Sequence, residues 1–479
     1  MAFDLVSMGG GLAGLVAAIR ASELGLNAAL IEAGSDVHYP CNSRISGGIL
    51  HVSYQDVNDA PAELLRGMQQ AGVGDTEQAR AIADHAGRAL DWLRCHGVKF
   101  AHLPHIKRGA WVMVPPRPMV GGLQGGKAWR GRGPDLTLRT LRQCLKESGG
   151  TFFEGTRGES LVMNKGRCVG LVAHQGDDTV TFETAAIVLC DGGFSGNDAM
   201  FRQHIGPMPE KVLQRGASTG RGDALRMAVE VGAATSRLNR FYGHLLSRDA
   251  FHNEALWPYP QIDALAAAGV MVGADGCRLV DEGMGGIHAS NHLATLADPQ
   301  GVTVIIDAAI WNGPGRIGLV AANPTLTKNG GTVYCADNLT DLARLCGLPA
   351  DALTATVESY NCALIEKTAQ GLGALIPPRT QSKAKAMPIL TAPFMAIPVC
   401  SGITNTMGGL SIDSHARVQT IDGQPIEGLY AAGAATGGLE GGPRVDYVGG
   451  LIKAVVFGML AAEHAAAICS KVHHKETLP

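Results

Sequence analysis

The chain has 479 residues, more than one typical core holds, so at least two domains are expected. Hydrophobic residues make up 46% and charged residues 17%, with a net charge of −3; this suits a well-buried globular protein and excludes binding to nucleic acid or membrane driven by bulk charge. The eleven cysteines show no C-x-x-C and no paired spacing, which excludes a disulfide scaffold and a zinc site and points to reduced thiols in a cytoplasm. No metal site is expected.

The N-terminus runs directly into a strand, Phe3 to Met8, which leaves no room for a signal peptide. Gly9-Gly10-Gly11-Leu12-Ala13-Gly14 follows, then an apolar-faced helix to Leu26, a second strand over Ala28 to Ile31, and Glu32. Gly9, Gly11 and Gly14 fit G-x-G-x-x-G between strand and helix, and Glu32 sits where a carboxylate can accept from a ribose. A helix N-terminus aims its free N–H groups and positive dipole end at a pyrophosphate, so the segment reads as a dinucleotide site.

Tyr39-Pro40-Cys41-Asn42-Ser43 leads to Ser46-Gly47-Gly48, a loop of small hydroxyl and glycine residues able to lie against a flat ligand. Residues 61–98 read as two helices. His102 to Gly133 reads as a long irregular loop with Gly121-Gly122, Gly125-Gly126 and arginines 117, 130 and 132; these either meet an anionic substrate or stay solvated. A helix over Leu136 to Lys146 stops at Ser148-Gly149-Gly150. Strand-like runs lie at Leu161-Val162, Val169 to Val172 and Phe182 to Leu189; Cys190-Asp191-Gly192-Gly193-Phe194 is a turn at the end of the last, and Thr219-Gly220-Arg221-Gly222-Asp223 opens a helix to Val231.

The texture changes near residue 239, with Phe241-Tyr242-Gly243-His244, Trp257-Pro258-Tyr259-Pro260 and strands near Val270 and Val304. Asn338 is placed to cap a helix over Leu339 to Cys346, and Pro349 to Glu366 reads as a further helix. The last hundred residues return to short strands and glycine turns ahead of an apolar helix, Leu451 to Ile468, whose Lys453, Glu463 and His464 mark it as a core helix and not a membrane span. The expected fold is α/β: a nucleotide domain from residues 1–238 and 376–479, with a second domain over 239–375 inserted between them.

The ordered set Gly9 to Gly14 with Glu32, Asn42-Ser43 with Gly47-Gly48, Cys190 to Phe194, Thr219 to Asp223, Gly276-Cys277-Arg278-Leu279-Val280-Asp281-Glu282, Met407-Gly408-Gly409 and Gly428 to Gly433 resembles the flavoprotein subunits of fumarate reductase and succinate dehydrogenase. Within that family Arg278 to Gly283, Gly402-Ile403-Thr404 and Tyr447 before Gly449-Gly450 are most similar to tricarballylate dehydrogenase. The resemblance implies a three-layer Rossmann-like FAD domain with a parallel sheet, an inserted α+β capping domain, and substrate held between cap and flavin. It implies FAD contacts from Gly9, Gly11, Leu12, Ala13, Gly14, Glu32, Ala33, Asn42, Ser43, Ser46, Gly47, Gly48, Asp191, Gly192, Gly193, Gly220, Asp223, Gly433, Ala434, Gly449, Gly450 and Leu451.

The departures are informative. Gly286 stands where fumarate reductases carry an arginine acid, Asn405 where they carry a histidine, and Ala434 where a glutamate holds the ribityl chain. Fumarate and succinate are therefore not the expected substrates, and the Gly286 side of the pocket is expected to be roomier and less cationic. Desaturation or ene reduction beside a carbonyl or carboxylate needs an acid–base group and a donor for the developing enolate charge, in addition to the flavin. Arg444 offers a fork for a carboxylate or a bond to the cofactor loop. His244 is a substrate contact or a core histidine, and Tyr447 matches a tyrosine that binds the substrate carbonyl in related ketosteroid dehydrogenases. His288, Asp281 and Glu282 are candidate bases by location, the last two alternatively braces of their loop.

The expected activity is that of an FAD-dependent oxidoreductase acting on a C–C bond next to a carboxylate or carbonyl of a small molecule, with an unassigned electron partner. A flavoprotein hydroxylase or oxidase, or a flavin-binding chain without this catalysis, are the alternatives. No histidine lies between Cys41 and Gly48, where succinate dehydrogenases attach FAD, so the flavin is expected to be held non-covalently. Acid precipitation should release all of it into the supernatant; colour retained in the pellet would show a covalent bond, with Cys41 the first suspect.

Overall fold

The strand Ala2–Met8 is central to the first unit and is buried from Leu5 to Met8, as a parallel sheet covered on both faces requires. A computed structural model describes residues 1–74, 76–103, 109–118, 128–365, 369–381 and 385–476. Ala2–Met8 pairs in parallel with Ala28–Ile31 on one side and Asp178–Leu189 on the other. Thr151–Phe153 extends the sheet beyond Ala28–Ile31, and Pro425–Ala431 extends it beyond Asp178–Leu189, both in parallel. The hairpin Thr156–Asn164 and Arg167–Gln175 continues from the N-terminal half of Asp178–Leu189 in antiparallel fashion, and Arg417–Gln419 pairs antiparallel with Pro425–Ala431. Both chain ends therefore build one sheet, as the Rossmann-like reading expects.

Helix Leu12–Glu23 packs against the C-terminal helix Gly450–Glu476. Gly458 permits the close approach, since a Cβ there would sit 2.7 Å from the Ala13 carbonyl. By length and composition Gly450–Ser470 could cross a membrane, but most of it is buried inside the fold. Helices Pro61–Ala71 and Glu77–Cys95 occupy the span expected for two helices and pack on the same core.

The second unit has its own apolar core. Its six-stranded sheet centres on Phe394–Thr406, which pairs antiparallel with Phe241–Ser247, Val302–Asp307 and Tyr334–Ala336 and in parallel with Leu213–Gln214. Val270–Val272 pairs with Val302–Asp307 at the sheet edge. Asn338 caps Leu339–Cys346 by accepting from the Asp341 N–H, and Ala350–Ile365 follows. The boundary expected at residue 376 falls short of this core, which includes Ile389 and Met395 to Val399. We therefore place the return to the first unit after Thr406. The sequence texture misled because Phe394–Thr406 is fully apolar at its centre and reads equally as a strand of either sheet.

Glycines 121, 122, 125 and 126 of the expected arginine-rich loop lie outside the described residues. The flanking strand Ala110–Met113 pairs with Phe100–Leu103 and Ile49–Leu50, so this region is partly sheet and not wholly irregular.

The C-terminal glycine turn is organised by a buried ion pair. Glu440 accepts from Lys453 Nζ at 2.7 Å and from the backbone N–H groups of Val448 and Gly449, and both charged side chains are excluded from solvent. Removing one member leaves an uncompensated buried charge, which costs about 3–5 kcal/mol, whereas replacing both with apolar groups is far milder. Lys453→Met should therefore lower stability by about that amount in urea denaturation, and the double variant Glu440→Leu/Lys453→Met should recover most of it.

Candidate active site

One cavity of about 1340 Å³ runs between the two units. Every residue expected to contact FAD lines it except Gly14 and Gly449. Gly14 serves packing instead: a Cβ there would lie 1.9 Å from the Gly9 carbonyl oxygen. Gly449 abuts the His51 carbonyl in the same way, at 2.5 Å.

The residues present fit a dinucleotide. Helix Leu12–Glu23 begins at Gly11 with no side-chain cap on its N-cap, although the Leu12 N–H donates to Ser43 Oγ at 3.1 Å. Its first turn thus opens on the cavity with backbone donors suited to a pyrophosphate. Glu32 is held at the end of its strand by the N–H groups of Gly10 and Gly34, and burial raises its pKa. Asp191 accepts from the Ala224 N–H through one oxygen, while its other oxygen is buried without a partner. Burial pushes this carboxyl up to about 7, so it is suited to meet a hydroxyl donor such as a ribose. Cys41 also lines the cavity; burial pushes its thiol up to about 11, away from the reactive thiolate form.

The cavity lining also holds a cluster of tyrosines built on a histidine and a carboxylate. Strand Phe241–Ser247 carries Tyr242 and His244 with their rings edge-on at 5.0 Å, and the Tyr242 hydroxyl lies 3.0 Å from His244 Nε2. On the other side of the imidazole, Nδ1 lies 2.5 Å from Asp263 Oδ2. Asp263 opens helix Asp263–Ala268 and also accepts from the Leu245 N–H. The carboxylate thus takes the Nδ1–H, which leaves Nε2 to accept from the Tyr242 hydroxyl. Tyr54 shares a hydrogen bond with Tyr242 and stacks on His51.

Tyr447, from the C-terminal glycine turn, stacks on Tyr242 with centroids 3.9 Å apart and planes at 15°. Its oxygen accepts from the Gly450 N–H at 2.8 Å, which leaves its O–H to donate into the cavity. Burial raises the pKa of both Tyr242 and Tyr447 well above the ordinary phenol, so both are neutral donors at neutral pH. Two backbone positions beside this cluster are held in the left-handed region, Tyr54 at φ 64° and Val445 at φ 53°, the kind of strain that persists where surrounding structure over-determines a site.

The expected catalytic residues separate. His244 and Tyr447 are brought together through Tyr242. Arg444 lines the cavity but is exposed to solvent, near Asp446, whose carboxyl burial pushes up to about 6. His288 is not among the lining residues; burial, His292 and Arg240 lower its pKa. Asp281 is bonded to Thr380 and Gly283, and Glu282 sits buried between Arg278 and Arg379, so both brace their loop.

The expectation of extra room at Gly286 is corrected. A Cβ on Gly286 would lie 2.0 Å from Asp263 Cγ, so a carboxylate occupies the adjacent space. Sequence reasoning missed Asp263, Tyr54 and the pairing of Tyr242 with His244. The last had a signal, because residues two apart on a strand share a face. Asp263 and Tyr54 arrive from distant segments and had none.

The chain matches the family model described as FAD binding domain over residues 4–445. It is 29% identical to a probable fumarate reductase of Shewanella frigidimarina, over 97% of this chain and 74% of the relative. It is 26% identical to an NADH:fumarate oxidoreductase of Klebsiella pneumoniae over 97% of this chain, and spans 48% of that relative's length. The fold is similar to that of 3-ketosteroid-delta4-(5alpha)-dehydrogenase from Rhodococcus jostii, with a TM-score of 0.71 at 22% identity over 97% of each chain.

Proposed function

The chain belongs to the FAD binding domain family of flavoprotein oxidoreductases, and from that membership we propose that it interconverts a ketone and its α,β-unsaturated counterpart. The observation that carries this reading is the Asp263–His244–Tyr242 chain ending beside the donor hydroxyl of Tyr447. Bound FAD supplies or accepts the hydride at the β-carbon. Glu32, Asp191 and the backbone of Gly9 to Ala13 hold that cofactor non-covalently; the high pKa of Cys41 supports the absence of a thioether.

Tyr447 donates its O–H to the carbonyl oxygen and so stabilises enolate charge. Tyr242 exchanges a proton with the α-carbon, and His244, oriented by Asp263, takes or returns that proton at Nε2. In reduction the neutral Tyr242 is the acid; desaturation runs the same groups in reverse. The stacked aromatic wall keeps water from the enolate.

The acid beside Gly286 argues against fumarate, since Asp263 would repel a carboxylate at the place where fumarate reductases present an arginine. A second reading, a polycarboxylate such as tricarballylate, is favoured by the exposed Arg444 in the cavity lining. Anaerobic flavin absorbance separates the two. Cyclic ketones should bleach the oxidised flavin, or their enones should reoxidise the reduced form, while fumarate and tricarballylate leave it unchanged. Tyr447→Phe should lower the ketone rate about 10²- to 10³-fold with flavin content intact. Brisk turnover of fumarate, or full activity in Tyr447→Phe, would overturn the reading.

A further inference from the structure

Two arginines in the cavity wall have no part in the chemistry above. Arg215 is only 9% exposed, and Arg117 is half-buried. Both line the cavity. Each guanidinium uses Nη1 on the protein: Arg215 donates to Thr404 Oγ1 at 2.9 Å, and Arg117 donates to the Ile45 carbonyl. Each has a buried Nε without a partner, and among the described residues neither Nη2 has one. No carboxylate among the described residues forms an ion pair with either.

The two cations are close enough for Arg215 to oppose the charge on Arg117, whose pKa is lowered first by burial. Tyr259 lines the same cavity, with the Arg215 guanidinium carbon 5.8 Å from its ring centroid. Like charges gathered in a low-dielectric wall are unfavourable unless an anion joins them. Thr404 and Ile45, which anchor the guanidiniums, line the cavity together with the arginines themselves, so each guanidinium borders ligand space with its Nη2 unused, while its Nε is shut off from solvent. Arg215 also acts electrostatically on the Tyr242 hydroxyl, which puts it within reach of the same ligand that Tyr242 would touch. Arg130 and Arg132, grouped with Arg117 by sequence, are not in the cavity wall.

The geometry points to Arg117 and Arg215 as a carboxylate subsite, so that the substrate is a keto acid held by its ketone at Tyr447 and by its remote carboxylate at the arginine pair. This rests on the ketone reading above and specifies it. Two-point attachment fixes the α-carbon against Tyr242, which a lone ketone contact would not do. A planar guanidinium pair matches a carboxylate edge with several parallel N–H donors.

The test compares 4-oxocyclohexanecarboxylate, cyclohexanone and the unreactive cyclohexanecarboxylate on the FAD-loaded protein. In the wild type the keto acid should half-saturate flavin reduction at a concentration at least tenfold below that of cyclohexanone. Arg117→Gln and Arg215→Gln should each raise the keto acid value about tenfold or more, and far more than the cyclohexanone value. Cyclohexanecarboxylate, titrated by its perturbation of the flavin spectrum, should bind the wild type and lose affinity in both variants. Equal effects on keto acid and ketone, or loss of FAD from either variant, would overturn the subsite while leaving the ketone reading in place. If neither ketone reacts, the ketone reading fails, and cyclohexanecarboxylate still decides the subsite: unchanged binding in the variants refutes it.

Discussion

The stacked pair Tyr242 and Tyr447 joins the two folding units at the point where chemistry is proposed. Tyr242 comes from strand Phe241–Ser247 of the second unit's sheet, and Tyr447 from the glycine turn that the C-terminal helix anchors. Neither hydroxyl would have a fixed position if its own unit were displaced. The ring contact requires both, and each ring is held from behind: Tyr242 by His244 and Asp263, Tyr447 by Gly450 and by the turn that Glu440 and Lys453 lock. A loss of packing in either core would therefore reach the site through this contact.

The cavity lining offers two kinds of electrostatic surface. In the nucleotide unit, backbone N–H groups and a helix N-terminus suit phosphate. Around Tyr242 and Tyr447, a carboxylate, Asp263, occupies the space beside Gly286, and the phenols are buried and neutral. That arrangement suits a carbonyl oxygen that gains charge only during reaction, because neutral donors bind developing charge without having to pair a full anion beforehand. Fully formed negative charge is better met at Arg117 and Arg215, with which no carboxylate among the described residues pairs.

What the sequence made legible follows from locality. The dinucleotide strand, turn and helix, the Asn338 cap and the order of glycine landmarks all lie within short windows, and local spacing encodes them. The resemblance to a flavoprotein family extended this to the whole fold. Two features resisted. The strand Phe394–Thr406 pairs with strands far from it in the chain, from Tyr334–Ala336 back to Leu213–Gln214, so its apolar run could not say to which sheet it belonged. The Asp263–His244 contact depends on how the cap folds back on its first strand, and an aspartate after Gln261-Ile262 carries no mark of it. His288 follows the Arg278 to Gly283 segment that resembles the family, but on helix Gly286–Ala294 it is not among the residues that line the cavity.

The central claim is that Tyr242, served by His244 and Asp263, moves the α-proton. Deuterium exchange at the carbons next to the carbonyl of 4-oxocyclohexanecarboxylate and cyclohexanone, followed by NMR in D2O with oxidised enzyme, reads that step without any hydride transfer. The account predicts enzyme-catalysed exchange in the wild type, slowed about 10²- to 10⁴-fold by Tyr242→Phe and substantially by Asp263→Asn, with FAD content and carbonyl binding retained. Exchange at the wild-type rate in Tyr242→Phe, or none in the wild type above the buffer rate, would contradict it.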